Sequence, residues 1–420
     1  MTGLRVAYVL GTASGGTAQH AGLLAEGSRR GGLQVTVLGP ASSRSAVAAG
    51  AAALPAEAGT PADPGATATH HPAIAFGVAE ISDRPRPGRD AAAVLTLRRL
   101  LGEIGPDVVH AHGLRAGAFS ALALLRPWRR ARRPALVVTI HNAPPRKLLA
   151  QLAYAVLEAT CAWRADAVLC ASADLAARMR RRGAANATEF DVPAARGPAP
   201  SASDVARAEA DIGAAGRPVI LAAGRLAEQK GLDTLLAAAA AWQRREPVPR
   251  LAIAGEGPLA AELAATASRA GLDLVLLGQR DDVPALLAAA DVVVVPSRWE
   301  ARPLIVQEAM RAGRPIVASR VGGIPDLTGA EAAILVQPAD PAQLAAAVLA
   351  VLDDRELAAR LSASARARAR ELPGPADAVA GVIAVYQRLA GQPGRAPSSG
   401  RRRRASGDPG SNGPGGSARK

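Results

Sequence analysis

VILAAGRLAEQKGLDTLL, Val219–Leu236, passes from an apolar run through a loop with two cations into a leucine-rich helical stretch. Val219–Ala222 has no polar residue, as suits a strand buried on both faces of a sheet. Arg225 and Lys230 stand between strand and helix, where two cations can clamp a diphosphate; the plain alternative is an ordinary basic loop. Outward from this unit the alternation continues. Apolar runs at Leu251–Ala254, Leu274–Leu277, Asp291–Val295 and Pro315–Ala318 alternate with Ala/Leu-rich helical stretches, which predicts a parallel sheet covered by helices.

The first half carries the same signal less cleanly. Arg5–Leu10 is apolar, Gly11–Gly16 turns, Thr17–Arg30 has helical composition and Leu33–Leu38 is apolar again. Strands are predicted at Val108–His110, Ala135–Ile140 and Ala167–Cys170, and helices at Val94–Ile104, Leu148–Trp163 and Ala173–Arg181. The fold class is therefore α/β, two Rossmann-like domains facing a central cleft, with ligands expected beyond the carboxyl ends of the strands. Residues 1–196 form the first domain, with 41–92 as an Ala/Pro/Gly/Ser-rich surface insertion, and 205–374 the second. A helix over 375–390 is expected to pack back toward the first domain, and 391–420 to be a disordered basic tail.

Composition narrows the function. The chain has 420 residues, 49% hydrophobic and 20% charged, enough for two cores. Net charge is +14, of which the last thirty residues carry +6, and only Lys147, Lys230 and Lys420 among the basic residues are lysines. Arginine is thus weak evidence at any one site, while Lys230 in a motif is informative. A basic body suits an anionic substrate or surface. Cys161 and Cys170 have neither metal nor redox spacing and point to a reducing compartment. The apolar run at the N-terminus is too short for a signal peptide, and no stretch reaches the length of a membrane span. The expected location is the cytoplasm.

The strongest chemical signal is EARPLIVQEAMRAGRPIVASRVGGIPD, Glu300–Asp326. A helix starting near Arg302 would leave Glu300 in the loop facing the cleft and put Glu308 two turns in. A carboxylate can accept from both hydroxyls of a ribose, and the N-terminus of that helix, beside Glu300, offers N–H groups to a phosphate. Two solvated glutamates on a surface helix are the bland reading. Gly255-Glu256-Gly257-Pro258 and Gly278-Gln279-Arg280-Asp281 follow further strands; each could be a tight turn. In the first half, Gly15 and Gly16 allow backbone to approach a phosphate; His110 and His141 close strands, His110 more in the manner of a structural histidine, while His112 lies beyond its strand at the cleft. Zinc at these histidines is weighed and set aside, because no carboxylate or cysteine cluster accompanies them.

On Gly15-Gly16, His112, His141, GRLAEQKGLDTLL, AGEGPL, GQRDDVPALLAAADVVVVPS and the Glu300/Glu308 pair, the sequence resembles glycosyltransferase family 4, retaining enzymes of GT-B fold. The resemblance implies a nucleoside diphosphate sugar donor, UDP- or GDP-linked, and no cofactor. It assigns Arg225 and Lys230 to the diphosphate, Glu308 to the ribose, Glu300 to the donor sugar and backbone near Arg280 to the base. Gly16, Leu304 and Ile305 join the donor site, and His112 and His141 contact donor sugar or acceptor. Glu300, His112, Arg225 and Lys230 are the expected catalytic group. Arg302 departs from the family, which often carries an aromatic or apolar residue there. No Asp-x-Asp occurs, which fits metal-independent chemistry.

Two other readings stay open. A sugar-nucleotide 2-epimerase shares the architecture but would need acid/base residues around the sugar, and the second half has no histidine. A nucleic-acid binder would use the arginines, yet four Trp, three Tyr and three Phe leave little for base stacking, so no nucleic-acid partner is expected. Arg126–Arg133 and the amphipathic 148–163 stretch are either a peripheral contact with an anionic membrane at its inner face or a solvated surface. The acceptor, a small molecule, a glycan or a lipid-linked group, is not named by the sequence.

Overall fold

The structure, a computed structural model, describes residues 3–11, 16–54, 74–82, 85–125, 133–141, 148–194 and 198–391. Residues 392–420 of the expected tail and Gly15 lie outside these residues, as do 126–132 of the basic run; Gly391 closes α15 instead of starting a tail.

The first half runs β1 (Arg5–Leu10), α1 (Gly16–Arg30), β2 (Gln34–Gly39), α2 (Arg44–Ala52), β3 (Ala75–Val78) and α3 (Pro87–Ile104). It continues with β4 (Val108–His112), α4 (Leu114–Ala123), β5 (Ala135–Ile140), α5 (Leu148–Arg164), β6 (Ala167–Cys170), α6 (Ala173–Arg181) and β7 (Ala187–Glu189). The second half begins with α7 (Ala202–Ile212), β8 (Val219–Ala223), α8 (Leu232–Trp242), β9 (Arg250–Ala254), α9 (Ala260–Arg269), β10 (Leu274–Gly278) and α10 (Val283–Ala289). It ends with β11 (Val292–Val295), α11 (Leu304–Ala312), β12 (Ile316–Ser319), α12 (Ile324–Thr328), β13 (Ile334–Val336), α13 (Pro341–Asp353), α14 (Arg355–Glu371) and α15 (Pro375–Gly391).

Both sheets are parallel, in the orders β3-β2-β1-β4-β5-β6-β7 and β10-β9-β8-β11-β12-β13. Strand order reverses between β1 and β4 and between β8 and β11, and a crevice opens at the carboxyl ends of such a pair. Side-chain alternation explains the polar-free strands. Ala7 and Val9 enter one core layer while Val6, Tyr8 and Leu10 enter the layer on the opposite face; Val219 and Leu221 are likewise divided from Ile220 and Ala222.

The stretch 41–92 is corrected by the structure. Both its ends are framework: α2 packs on α1, β3 extends the sheet beyond β2, and α3 starts at Pro87. Small residues look like low complexity here because the two backbones nearly touch. A Cβ on Gly22 would overlap the Val47 carbonyl, and one on Gly50 the Gln19 carbonyl. The edge strands β3, β7 and β13 are three or four residues long and partly exposed, so apolar patterning hardly marks them.

α15 returns to the first half. Ala378, Val382 and Tyr386 are buried in its core, and Val379 lies so close to Gly27 that a Cβ there would clash. Tyr386 Oη donates to Tyr8 Oη at 2.9 Å and lies 2.5 Å from His110 Nδ1, while Tyr8 Oη is 2.9 Å from Ser28 Oγ.

Two glycine substitutions separate close packing from helix propensity. Gly50→Ala is expected to destabilise the protein by about 1–3 kcal/mol through overpacking. Gly102→Ala in α3, where a Cβ meets nothing within 4 Å, should stabilise it by roughly 0.5–1 kcal/mol. Equilibrium denaturation reads both, and equal effects would refute the α1–α2 contact.

Candidate active site between the two halves

The loops after β8, β9 and β11 are pressed together by glycine. Gly224 has φ +145, Gly231 +61 and Gly255 +135, conformations that side chains resist. A Cβ on Gly255 would overlap the Gly224 carbonyl, and one on Gly231 the Pro296 carbonyl. Gly224 N donates to Ala254 O and Leu226 N to Glu256 O, both at 2.9 Å, so GRLAEQKG and AGEGPL form one stitched surface.

On this surface the sequence-selected residues divide into groups. Lys230 Nζ donates to Glu300 Oε1 at 2.6 Å, and the buried Ser297 Oγ donates to the same oxygen at 2.7 Å. The Lys230 stem covers Gly224, whose added Cβ would stand 3.3 Å from Lys230 Cε. A small pocket there is lined by Gly224, Lys230, Pro296 and Ser297. Arg225 is exposed on the same loop, and no described residue pairs with its guanidinium. Arg280 is not open to a ligand: its guanidinium binds Asp282 at 2.8 and 2.7 Å and Asp211 at 2.7 Å. These carboxylates hold its pKa above the usual arginine value, leaving only the backbone of this turn as a contact.

α11 starts later than expected, at Leu304 with Pro303 as its cap, so Glu308 stands one turn in rather than two. Glu308 is half-buried, and burial raises its carboxyl pKa while Arg311 partly offsets the shift. The N-terminus of α11 faces that of α1: a Cβ on Gly16 would lie 3.0 Å from Leu304 Cδ1. Ile305 turns into the second-half core.

Arg302 carries the departure from the family into the interdomain contact. Its side chain, 10% exposed, reaches Asp191 Oδ1 at 2.6 Å and Glu189 Oε1 at 3.7 Å, at the end of β7. Gln307 Nε2 donates to Val192 O at 2.9 Å, its Oε1 accepts from Ala194 N at 3.0 Å, and Arg311 donates to Ala194 O. α11 is thereby fastened to the chain that leaves the first half.

Opposite lie the histidines. His112 is the last residue of β4, not beyond it as expected, and is buried. Its Nδ1 is 3.2 Å from His141 Nε2, with the rings stacked at 15°. His20, from α1, stands edge-on to both. Sequence reading missed it, although it follows Gly16 by four residues and so faces the same side of a helix that starts at the cleft. His110 is structural, bound between Tyr386 and Thr139. Both nitrogens of His20 and Nε2 of His112 have no hydrogen-bond partner among the described residues. Nitrogens of His20, His112 and His141 come within 4.8 Å of one another, so these three could offer a cation one ligand atom each; no carboxylate or thiolate among the described residues completes the group. As neutral imidazoles they can equally donate to or accept from hydroxyls.

Two parallel-sheet domains with a charged surface on one wall of a cleft and imidazoles on the other constitute the GT-B fold. Residues 14–189 match the description Glycosyltransferase Family 4, and 217–354 match Glycosyl transferases group 1. Each half of the chain thus matches a glycosyltransferase family model. It is 33% identical over 174 residues to the alpha-D-kanosaminyltransferase of Streptomyces kanamyceticus, covering 40% of this chain and 45% of that one. It is 37% identical over 179 residues to the D-inositol 3-phosphate glycosyltransferase of Xylanimonas cellulosilytica, covering 40% and 42%. The matched stretches thus span less than half the length of these curated relatives. The fold resembles that of Anabaena HepE, solved with UDP and glucose, at TM-score 0.74 and 21% identity over 91% of this chain and 99% of that one.

Burial holds the four histidines neutral, with His110 pushed down to about 3, His141 to about 4, and His20 and His112 well below the ordinary 6.5. Between those values and 6.5 the unfolded chain binds more protons than the folded one. The stability is therefore present above pH 6.5 and lost as pH falls, by up to ~1.4 kcal/mol per pH unit for each ring. The urea midpoint is expected to drop steeply from roughly pH 7 to 5, and less steeply in His20→Leu. A flat midpoint over that range would contradict the dry burial of these rings.

Proposed function

We propose that the protein is a retaining hexosyltransferase that moves a sugar from a UDP- or GDP-linked donor to an acceptor hydroxyl without a metal ion. The observation that carries this reading is the Lys230–Glu300 pair, held where β8 and β11 diverge and next to the start of α11. A donor diphosphate laid over GRLAEQKG meets Arg225, Lys230 and the free N–H groups of the α11 N-terminus, which oppose the charge that grows on the leaving group. Glu308, one turn further, is placed for the ribose, and the backbone after β10 for the base. The kinship with HepE, whose structure contains UDP and glucose, supports a nucleotide-sugar donor.

Glu300 serves two partners. Paired with Lys230, it holds the ammonium at the phosphate position; its second oxygen is left for a sugar hydroxyl. As the bond from the anomeric carbon to the diphosphate oxygen breaks, the acceptor oxygen attacks from the same face. Its proton passes to the departing phosphate oxygen. His112 and His141, neutral at physiological pH, hydrogen-bond the sugar or acceptor from the opposite wall. No described carboxylate is assigned as a covalent nucleophile.

This pairing changes what substitution should do. Arg225→Ala, at an exposed site, is expected to weaken donor binding by roughly 1.5–3 kcal/mol without altering stability. Lys230→Ala should weaken it similarly and also lower stability by ~1–3 kcal/mol, because the buried Glu300 loses its cation. Calorimetric titration with UDP and GDP, beside denaturation, measures both; unchanged nucleotide affinity in both variants would refute the site.

The two glutamates should separate kinetically. Glu308→Gln is expected to weaken binding of the free nucleoside diphosphate and raise the donor KM. Glu300→Gln should lower kcat while nucleotide affinity stays level, since Lys230 remains free to meet phosphate. Loss of nucleotide affinity in Glu300→Gln alone would reverse the assignment.

A further inference from the structure

α5 of the first half exposes the wrong kind of face for a helix in water. Its buried side centres on Cys161, whereas Leu152, Val156, Ala159 and Trp163 fall on one outward stripe at spacings of four, three and four. Leu152 is 58% exposed, Val156 66% and Trp163 60%. The stripe runs about 16 Å along the helix. Beside it, the end of α4 adds the exposed Leu122 and Leu125. Single exposed apolar residues are ordinary, but a continuous ridge of this kind marks a contact surface.

Charge identifies what the ridge meets. On one flank, the Arg164 guanidinium lies 5.5 Å over the Trp163 ring and donates to Leu124 O. On the other, α6 and the residue after it present Arg178, Arg180, Arg181 and Arg182, while Glu158 of α5 pairs with only Arg178 and Arg182. Arg181 is exposed and forms no described ion pair. A second copy docked on this face by a two-fold axis would bring these arginines toward their own duplicates. An anionic lipid surface instead accepts the apolar ridge and neutralises both flanks.

We propose that the α4–α5–α6 face docks the protein on an anionic membrane, with the α5 ridge set among the headgroups. α5 begins seven residues after His141, at the carboxyl end of β5, so docking would bring the cleft mouth to the lipid surface. The docking stands without the transferase reading; only an acceptor presented by the lipid rests on it.

The test is co-sedimentation of the full chain with vesicles of phosphatidylglycerol or of phosphatidylcholine alone. The protein is expected to bind the former, less as salt rises, and hardly the latter. The pair Leu152→Ser with Val156→Ser, and separately Arg181→Glu, should each weaken vesicle association, the serine pair by roughly tenfold. Leu122→Ser with Leu125→Ser provides a second apolar pair should the first fail to fold. Melting temperature and nucleotide affinity should not change, which separates failure here from failure of the donor site. Wild-type affinity for phosphatidylglycerol vesicles in all these variants would overturn the proposal. So would no binding by the wild type, or a concentration-dependent dimer that the serine pair abolishes.

Discussion

Ala301 belongs by sequence to the second half and by burial to the core of the first, with Trp299 and Leu304 packed around it. One short segment must therefore satisfy two domains at once. Its start is fixed by β11 and by Gln229, whose side chain donates to Trp299 O. Its end is fixed by Arg302 against β7 and by Gln307 against Val192 and Ala194. Glu300 lies between these anchors and cannot drift, because Gly322 and Gly323 leave no room behind it: a Cβ on either would overlap the carbonyls of Glu300 or Ala301. The position of the Glu300 carboxylate is thus a consequence of how the halves meet.

This wedge also gives the cleft its electrostatic character. A carboxylate as buried as Glu300 needs a cation and donors, and Lys230 and Ser297 supply them. The Lys230 ammonium has three N–H donors, and the bond to Glu300 uses one of them, so the pair keeps its capacity for a second anion. The opposite wall is different in kind: its imidazoles are uncharged and some of their nitrogens face no partner among the described residues. Charged side chains and neutral imidazoles are divided between the domains.

Much of this was legible in the sequence where a chemical demand leaves few residue choices. Parallel strands buried on both faces must be apolar, so β1, β5, β8, β9, β11 and β12 announce themselves. A lysine in an arginine-rich chain pointed to Lys230, and the Glu300/Glu308 spacing marked a loop and the helix after it. What stayed hidden depends on partners distant in sequence. Arg302 looks like an exposed departure until Asp191 is seen beside it. Arg280 looks available until Asp211 and Asp282 close on it. His20 is ordinary in a helix until β4 and β5 bring His112 and His141 against it. The Ala- and Gly-rich stretch around α2 read as filler because close backbone packing and low complexity use the same residues.

The return of α15 has a consequence for how the chain is made. Tyr8 and Tyr386 share a hydrogen bond across 378 positions, and Val382 fills the core that β1 began. The domain synthesised first therefore lacks part of its interior until α15 has left the ribosome. At ~5–20 residues per second, the nascent first half waits tens of seconds with the α15 groove on α1 open. Completing that domain reports that the second domain has been made. A truncated product would carry an unsealed apolar groove, the kind of surface that chaperones and proteases recognise.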